Sequence, residues 1–233
     1  MKVVAVVHAK GESKRLPNKN LRKLGGKPLI AHAIKNACDS KVDAVVIDSD
    51  SDAILKVGES LGAMPLKRPP YLANNSITGD DLAYWQAQSL PQYDIIVQVV
   101  PTSPFTKPET IDKCIETVKS GGITCFTMTS EFLYTWSHNG DFILRPDYYN
   151  EDGRLKNSSE LDPFYVEHTG VYAFETRFAF EYRTRTVQCN FNAVPISHIE
   201  KIDIDTEKDF EFAEIVWRGL QSLNKSTKAK EDS

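Results

Sequence analysis

The chain has 233 residues, of which 41% are hydrophobic and 26% charged, and its formal net charge is −4. This length suits a single α/β domain with a sizeable core, and the acidic balance argues against a nucleic-acid partner. No apolar run approaches the roughly 20 residues of a membrane span, and no signal peptide is recognisable. We therefore expect a cytoplasmic protein with no membrane contact. The four cysteines are widely spaced without a C-x-x-C pair, which predicts reduced thiols rather than a zinc site.

The first predicted element is a strand over the apolar run of residues 3–7, which is continuous enough to be buried on both faces. A loop that contains Gly11 and is rich in cations follows at once. Backbone N–H groups at Gly11 and Ser13 can turn inward, and cations neutralise charge that amides alone cannot. The loop therefore predicts a polyphosphate site rather than an ordinary basic turn. Its cations are Lys10, Lys14, Arg15 and Lys19.

The next part of the chain alternates between helical and strand patterns. The acidic run over residues 48–52 has two interpretations, a metal site or the start of a helix capped by Ser49 or Ser51, and we favour the cap. The predicted elements are a helix beginning at Pro28, a strand over 44–47, a helix over 53–61 and a strand over 64–66.

The strongest strand pattern covers residues 94–100, and we expect this strand to be central in the sheet. It ends in the turn Pro101-Thr102-Ser103-Pro104. Open α/β sheets place ligands at the carboxyl ends of their strands, although two prolines around Thr and Ser also suit a simple turn. Upstream, Arg68 either reaches a ligand or ties down a loop, and residues 80–89 have a helical pattern.

The second half contains regular elements around one irregular excursion. Periodicity is lost from residue 132 to residue 166, and so long an excursion in a compact domain is usually functional. Residues 221–233 are polar, which predicts a disordered tail or linker after a folded domain of residues 1–220. The remaining predicted elements are a helix over 108–119, strands over 124–129 and 170–174, a helix over 178–182 and a final helix that buries apolar residues from Phe210 to Leu220.

Two carboxylates, Asp203 and Asp205, follow one another with a single residue between them. If this segment ends a strand, the two side chains share one face. Mg²⁺ is typically held by one or two carboxylates together with substrate phosphates, so the pair predicts a magnesium site. In the alternative interpretation, Asp205 caps the last helix.

Several of these segments resemble the cytidylyltransferases that activate sialic acid. Residues 9–20, AKGESKRLPNKN, match the family loop A-R-x-x-S-K-x-(I/L)-P-x-K-N except that Lys10 replaces the usual Arg. Residues 68–73, 101–104 and 202–206 resemble three further segments of the family. The resemblance implies a three-layer, Rossmann-like α/β nucleotidyltransferase fold with a mostly parallel sheet. It also implies a homodimer in which an arm over residues 132–166 contacts the partner.

The resemblance also implies a reaction and a role for each residue. The enzyme would transfer CMP from CTP to a small anionic acceptor and release pyrophosphate, mainly by orienting the reactants and neutralising charge. Mg²⁺ would be the cofactor, bound by Asp203 and Asp205. Lys10, Lys14 and Lys19 would hold the phosphates as catalytic residues. The nucleotide would be bound by Ala9, Gly11, Ser13, Asn20, Arg68, Pro101, Thr102 and Ser103.

Two departures from the family pattern concern the acceptor. The family Gln before P-T-S-P is Val100 here, and the arm segment aligned with R-x-D-L-P is Ser159–Pro163, which lacks the Arg. The pattern is closer to the relatives that activate small phosphonates such as 2-aminoethylphosphonate. Some of these are fused to a transaminase, and the polar C-terminal segment suits a linker to such a partner domain. Candidate residues for the acceptor amine are Glu160, Asp162, Tyr165 and Glu167.

Two other functions compete with phosphonate activation. One is CMP activation of a sialic-acid-like or octulosonic sugar acid. The other is a nucleotide-sensing domain that has lost turnover. The complete set of loop cations and both late aspartates argue against the second of these.

Overall fold

The apolar run near the start of the chain forms the strand β1, Val3–His8, whose first five residues are fully buried. Its side chains alternate between two cores, with Val3 and Val7 in one and Val4 and Val6 in the other. A strand covered on both faces needs apolar residues at every position, which explains the unbroken run. The computed structural model describes residues 1–138, 142–144, 148–187 and 191–231.

The described residues form eleven strands and six α-helices. After β1 the strands are β2 Lys23–Leu24, β3 Lys27–Pro28, β4 Ala44–Ser49, β5 Met64–Lys67, β6 Ile95–Val99, β7 Thr124–Glu131, β8 Trp136–His138, β9 Phe142–Leu144, β10 Phe164–Glu175 and β11 Asn192–Pro195. The helices are α1 Leu29–Cys38, α2 Asp52–Ser60, α3 Gly79–Ser89, α4 Pro108–Lys119, α5 Thr176–Tyr182 and α6 Glu207–Glu231.

The main sheet has seven strands in the order β11-β7-β10-β6-β1-β4-β5. β10 runs antiparallel to both of its neighbours, whereas the other pairs are parallel. β6 occupies the fourth position, so the prediction of a central strand over residues 94–100 is confirmed. The order reverses at β1, which pairs with β6 on one side and β4 on the other. Such a switch point opens a crevice at the carboxyl ends of the strands.

Helices cover both faces of the sheet. α1, α2 and α4 pack on one face, and α3 and α5 pack on the other. The predicted three-layer, Rossmann-like fold with a mostly parallel sheet is therefore confirmed. None of the helices built by the described residues combines the length and the hydropathy needed to cross a bilayer.

α6 closes a smaller core over the loop that follows β1. Phe210 and Ala213 are buried there together with Leu16 of the loop. The indole of Trp217 lies against Gly25, where an added Cβ would come 2.0 Å from its Nε1. Gly25 also has a positive φ of 59°, so both the turn and the close approach require glycine there.

α6 differs from its prediction in two respects. Phe212 and Ile215 are 54% and 66% exposed, so the expectation that they face the core is wrong. The helix also continues to Glu231, whereas composition predicts disorder from residue 221. Once the packed turns nucleate a helix, Lys, Glu and Ala extend it at little cost. A role as linker to a further domain stays a prediction.

The excursion between β7 and β10 contains the short ribbon of β8 and β9. Its aromatic residues are not uniformly exposed: Phe132, Trp136 and Tyr149 are, whereas Tyr148 is only 5% exposed and packs edge-on against Tyr134. Tyr134 and Tyr148 therefore belong to a small core of the arm itself.

The cysteines within the described residues carry free thiols, with Cys38 exposed and Cys114 and Cys125 buried. This agrees with the prediction of reduced thiols. Cys189 lies outside the described residues.

Candidate nucleotide-binding site

A cavity of about 490 Å³ opens at the carboxyl ends of β1 and β6. It brings together two segments that are about 90 residues apart in the chain, the loop after β1 and the turn after β6. Its walls also include Asn75 from the loop before α3. We call this cavity the cleft. Its lining residues are His8, Ala9, Lys10, Glu12, Ser13, Lys14, Arg15, Lys19, Asn20, Asn75, Val100, Pro101 and Thr102.

Most of the predicted nucleotide-binding residues meet in this cleft. From the loop come Ala9, Lys10, Ser13, Lys14, Lys19 and Asn20, and from the turn come Pro101 and Thr102. Gly11, Arg68 and Ser103 are not among the lining residues, and a different contact accounts for each.

Gly11 anchors the loop instead of facing a ligand. Its N–H donates to Asp50 Oδ1 at 2.9 Å, and an added Cβ would come 2.9 Å from Cβ of Ser51. The expectation that this amide points toward phosphate is therefore wrong. The buried Asn20 fixes the other end of the loop by donating from Nδ2 to the Lys10 carbonyl at 2.9 Å.

The loop is joined to the last segment of the domain through Asp205. Lys19 Nζ lies 2.9 Å from Asp205 Oδ1 and donates to the Ile204 carbonyl at 2.9 Å, while Arg15 Nη1 lies 2.9 Å from Asp205 Oδ2. The backbone N–H of Ile204 donates to the Thr102 carbonyl. Segments from three parts of the chain thus share one hydrogen-bonded rim.

The residues around Asp203 and Asp205 suit a hard cation. Asp203 Oδ1 is buried and has no hydrogen-bond partner among the described residues, so it has a free acceptor to offer. In those same residues no group of three or more His, Cys, Asp or Glu could enclose a metal alone. The donor set therefore fits Mg²⁺ shared with substrate phosphates, which needs only one or two carboxylates.

The segment that carries these aspartates is not a strand, as the sequence suggested, but an irregular stretch leading into α6. Asp205 does not cap that helix either. Thr206 and Asp209 form the cap, with Thr206 N donating to Asp209 Oδ2 at 2.7 Å and Asp209 N to Thr206 Oγ1 at 3.4 Å. Asp205 is thereby left to pair with the loop.

Ser103 supports the cleft from behind. It is 1% exposed, and its Oγ lies 3.5 Å from Nε2 of His168. Gly170 N donates to Nδ1 of the same ring at 3.1 Å, which leaves the proton on Nε2. Burial lowers the pKa of His168, although Asp203 acts in the opposite direction. The hydroxyl group of Ser103 therefore contacts a neutral imidazole. Ser103 does not line the cleft, so the prediction that it binds the nucleotide directly is not supported.

Arg68 is a structural residue rather than a ligand-binding one. It is 3% exposed, its Nε lies 2.9 Å from Asp48 Oδ1, and its Nη2 donates to the Asp48 carbonyl. The interpretation that Arg68 reaches a nucleotide is therefore wrong, and the alternative, that it ties down the chain, is correct. Asp48 is fully buried by this pairing, so the acidic run is not a metal cluster.

The four candidate acceptor residues lie apart from the cleft. Glu160 accepts from the N–H of Asn157 and caps a short turn, and Asp162 and the 60% exposed Tyr165 face solvent. Glu167 accepts from the hydroxyl of Tyr172. Glu167 also lines a second cavity of about 500 Å³, which we call the arm cavity, with Thr129, Glu131, Leu133, Val166, His168 and Lys201.

Sequence reasoning did not select His8 or Arg185. His8 lines the cleft at the end of β1, and its Nδ1 is buried with no hydrogen-bond partner among the described residues. Burial, together with the guanidinium groups of Arg68 and Arg185, lowers the pKa of His8 to about 3. A polar residue ending an apolar strand is a signal that could have identified His8. No local pattern marks Arg185.

A switch-point cleft with a cationic loop after the first strand defines a nucleotide-binding α/β enzyme of the nucleotidyltransferase class. The family model described as cytidylyltransferase matches residues 4–225. The chain belongs to that family, and the protein is a CTP-dependent cytidylyltransferase.

Individual relatives cover nearly the whole chain. The chain is 31% identical to a CMP-N,N'-diacetyllegionaminic acid synthase of Legionella pneumophila over 92% of its own length and 95% of the relative. It is 26% identical to a pseudaminic acid cytidylyltransferase of Campylobacter jejuni, over 94% and 97%. The solved structure of CMP:2-keto-3-deoxy-manno-octonic acid synthetase complexed with CTP has a similar fold. Its TM-score is 0.68 at 16% identity, over 94% of this chain and 99% of that one.

Proposed function

We propose that the protein transfers CMP from CTP to an oxygen of a small anionic sugar acid. The acceptor oxygen attacks the α-phosphorus, an O–P bond forms, and the bond to the β-phosphate oxygen breaks as pyrophosphate leaves with the bonding electron pair. The observation that carries this proposal is the meeting of Lys10, Lys14 and Lys19 with the turn of Pro101 and Thr102 in one cleft. Fixed cations at the phosphates stabilise the charge that grows on the leaving group.

We also propose Mg²⁺ as the cofactor, with Asp203 and Asp205 as its protein ligands. A bound Mg²⁺ would supply positive charge at the phosphates. The free acceptor of Asp203 supports this assignment. Asp205, already joined to Lys19 and Arg15, keeps the cationic loop beside that charge.

One observation supports a sugar acid as the acceptor. The legionaminic and pseudaminic acid enzymes that the chain resembles are both named for sugar acids.

A phosphonate such as 2-aminoethylphosphonate is the second candidate, and Val100 favours it. Val100 lines the cleft and offers no hydrogen bond to a hydroxyl group. A phosphonate, by contrast, needs cations, which the loop lysines provide. The sequence alone favoured this acceptor, and it stays a prediction.

Pyrophosphate release distinguishes these proposals. The purified protein is mixed with CTP and Mg²⁺ and with N-acetylneuraminate, 3-deoxy-octulosonate or 2-aminoethylphosphonate at equal concentration. We expect a sugar acid to be turned over fastest. Faster turnover of 2-aminoethylphosphonate would overturn the sugar-acid proposal in favour of the second candidate. Binding of CTP without release of pyrophosphate in the presence of any of these acceptors would contradict the enzymatic proposal and favour a nucleotide sensor. Omitting Mg²⁺ should abolish turnover.

We further propose that the protein is a homodimer whose arm over residues 132–166 contacts the partner. The exposed Phe132 and Trp136, at 56% and 57%, support this because adjacent exposed aromatic residues mark interaction surfaces. Light scattering should show a dimer at micromolar concentration. Replacing Phe132 and Trp136 with Ser should yield monomers, whereas Tyr71→Ser, at a 67% exposed aromatic residue outside the arm, should not. A wild-type monomer would contradict the proposal.

A further inference from the structure

A chain of buried polar side chains crosses the sheet beneath the cleft. Gln86 Nε2 donates to Asp48 Oδ2 at 2.8 Å, and Gln98 Nε2 donates to Gln86 Oε1 at 2.9 Å. Gln98 Oε1 accepts from Arg185 Nη1 at 2.8 Å. The three inner residues are completely buried. Because the carboxylate can only accept, it fixes the orientation of both amides, and the last amide presents an oxygen to Arg185.

The two arginines at the ends of this chain differ in their partners. Arg68 has the buried carboxylate of Asp48 at 2.9 Å. Arg185 instead lies over the ring of Tyr172, with 3.6 Å from Cζ to the ring centroid, and bonds a neutral amide. The carboxylate of Asp80 is 3.9 Å from its Nε and 45% exposed. The guanidinium of Arg185 is 18% exposed, and its one ion pair among the described residues, with the half-exposed Asp80, is long, so it can serve a further anion.

Arg185 lies just below the wall of the cleft. Tyr172 of β10 and Gln98 of β6 are paired residues, and Gln98 lies two positions before Val100, so both project from the same face of the sheet. Val100 lines the cleft. The charge of Arg185 also reaches His8, another lining residue, whose pKa it helps to lower. The loop lysines, in contrast, belong to the connection between β1 and α1.

We infer that Arg185 binds the anionic group of the acceptor and thereby determines acceptor specificity. The inference rests on the proposed function, because it assumes that an acceptor enters the cleft beside CTP. The loop lysines hold the phosphates, which leaves Arg185 for a second anion. The guanidinium of Arg185 is planar and held in place, and its Nη2 makes no hydrogen bond among the described residues. It can therefore pair with a carboxylate or a phosphonate.

Steady-state kinetics of Arg185→Gln provide the first test. The acceptor is whichever of N-acetylneuraminate, 3-deoxy-octulosonate and 2-aminoethylphosphonate the wild type turns over fastest. Losing a charged hydrogen bond should raise the acceptor KM about 10- to 100-fold and leave the CTP KM unchanged. Arg185→Lys retains the charge and should recover part of the loss. Arg183→Gln, two residues away and exposed on the ring of Tyr84, is the matched control and should match the wild type.

Gly79→Ala tests the position of Arg185 without removing it. An added Cβ at Gly79 would come 2.3 Å from Cζ of Arg185. The end of a long side chain moves easily, and Ala suits the first turn of α3, so the fold should remain stable. The displaced guanidinium should raise the acceptor KM while the CTP KM and the melting temperature stay at their wild-type values.

The outcomes separate this inference from the proposed function. If the wild type turns over an acceptor and both Arg185→Gln and Gly79→Ala keep its KM, the inference is overturned and the proposed function stands. A rise in both KM values together with a lower melting temperature also overturns it, because Arg185 would then be structural. If the wild type releases no pyrophosphate with any acceptor, the proposed function fails and the inference fails with it.

Discussion

Two sets of cations surround the cleft, and they differ in what holds them. Lys14 and Arg15 in the loop after β1 are exposed, and Lys19 is partly buried on Asp205. Arg68 and Arg185 lie inside the domain, on a chain of buried side chains. The same kind of charge therefore has opposite consequences. The positive charge of the loop is available to a ligand and contributes little to stability. The charge of Arg68 is instead paired with a buried carboxylate and stabilises the fold.

The largest expected effect is on stability, from Arg68→Met. Removing the guanidinium leaves the fully buried Asp48 with Gln86 as its remaining side-chain partner. Breaking a buried pair in this way should lower the free energy of unfolding by about 3–5 kcal/mol. Urea denaturation at pH 7 measures this loss of unfolding free energy.

Lys67→Met is the matched control for that experiment. Lys67 is the preceding residue, and its partner Asp52 is 79% exposed, so this pair should contribute far less to stability than the buried pair. Equal losses of unfolding free energy in Arg68→Met and Lys67→Met would mean that burial does not determine how much a cation contributes to stability.

The next effect is on activity, from Lys19→Ala. Under the proposed function Lys19 is one of the cations at the phosphates, and its loss should reduce the rate of pyrophosphate release about 100-fold or more. Arg15 remains on Asp205, so the free energy of unfolding should fall by only about 1–2 kcal/mol. Lys119→Ala, an exposed lysine at the end of α4, should match the wild type. Near wild-type turnover of Lys19→Ala would remove the phosphate role from the loop.

The smallest effect concerns His8, which lies between the two sets. Its pKa is about 3 in the folded protein and about 6.5 in an unfolded chain. Between these values the unfolded chain binds a proton that the folded protein does not, so stability falls as the pH decreases through this range. At pH 5 the loss attributable to His8 is about 2 kcal/mol.

His8→Asn should therefore lose about 2 kcal/mol less than the wild type when urea unfolding at pH 7.5 is compared with pH 5. Burial also lowers the pKa values of His32 and His168, but both remain in the variant, so the difference isolates His8. An unchanged dependence in His8→Asn would show that His8 binds a proton as readily in the folded protein as in the unfolded chain.

The sequence predicted those parts of the molecule that are encoded locally. The buried strand β1, the cationic loop and the turn at Pro101 each lie within a few adjacent residues, and the fold brings them to one cleft. Predictions failed where a distant partner decides the outcome. The amide of Gly11 is taken by Asp50, 39 residues away, and Arg68 by Asp48, 20 residues away. Arg185 and Gln98 are separated by 87 residues in the chain, and such a pairing produces no periodic pattern in the sequence.

The contact between Gly25 and Trp217 changes how the end of the chain should be treated in protein engineering. α6 is the last helix, yet the indole of its Trp217 packs on the turn next to the cationic loop, and its capping residue Thr206 directly follows Asp205. Shortening the chain to a point before Trp217 would uncover that turn and release the loop from its cover. A deletion, fusion or affinity tag is therefore best placed beyond the packed turns of α6, at or after the exposed residues 221–225, where the cover of the loop stays intact.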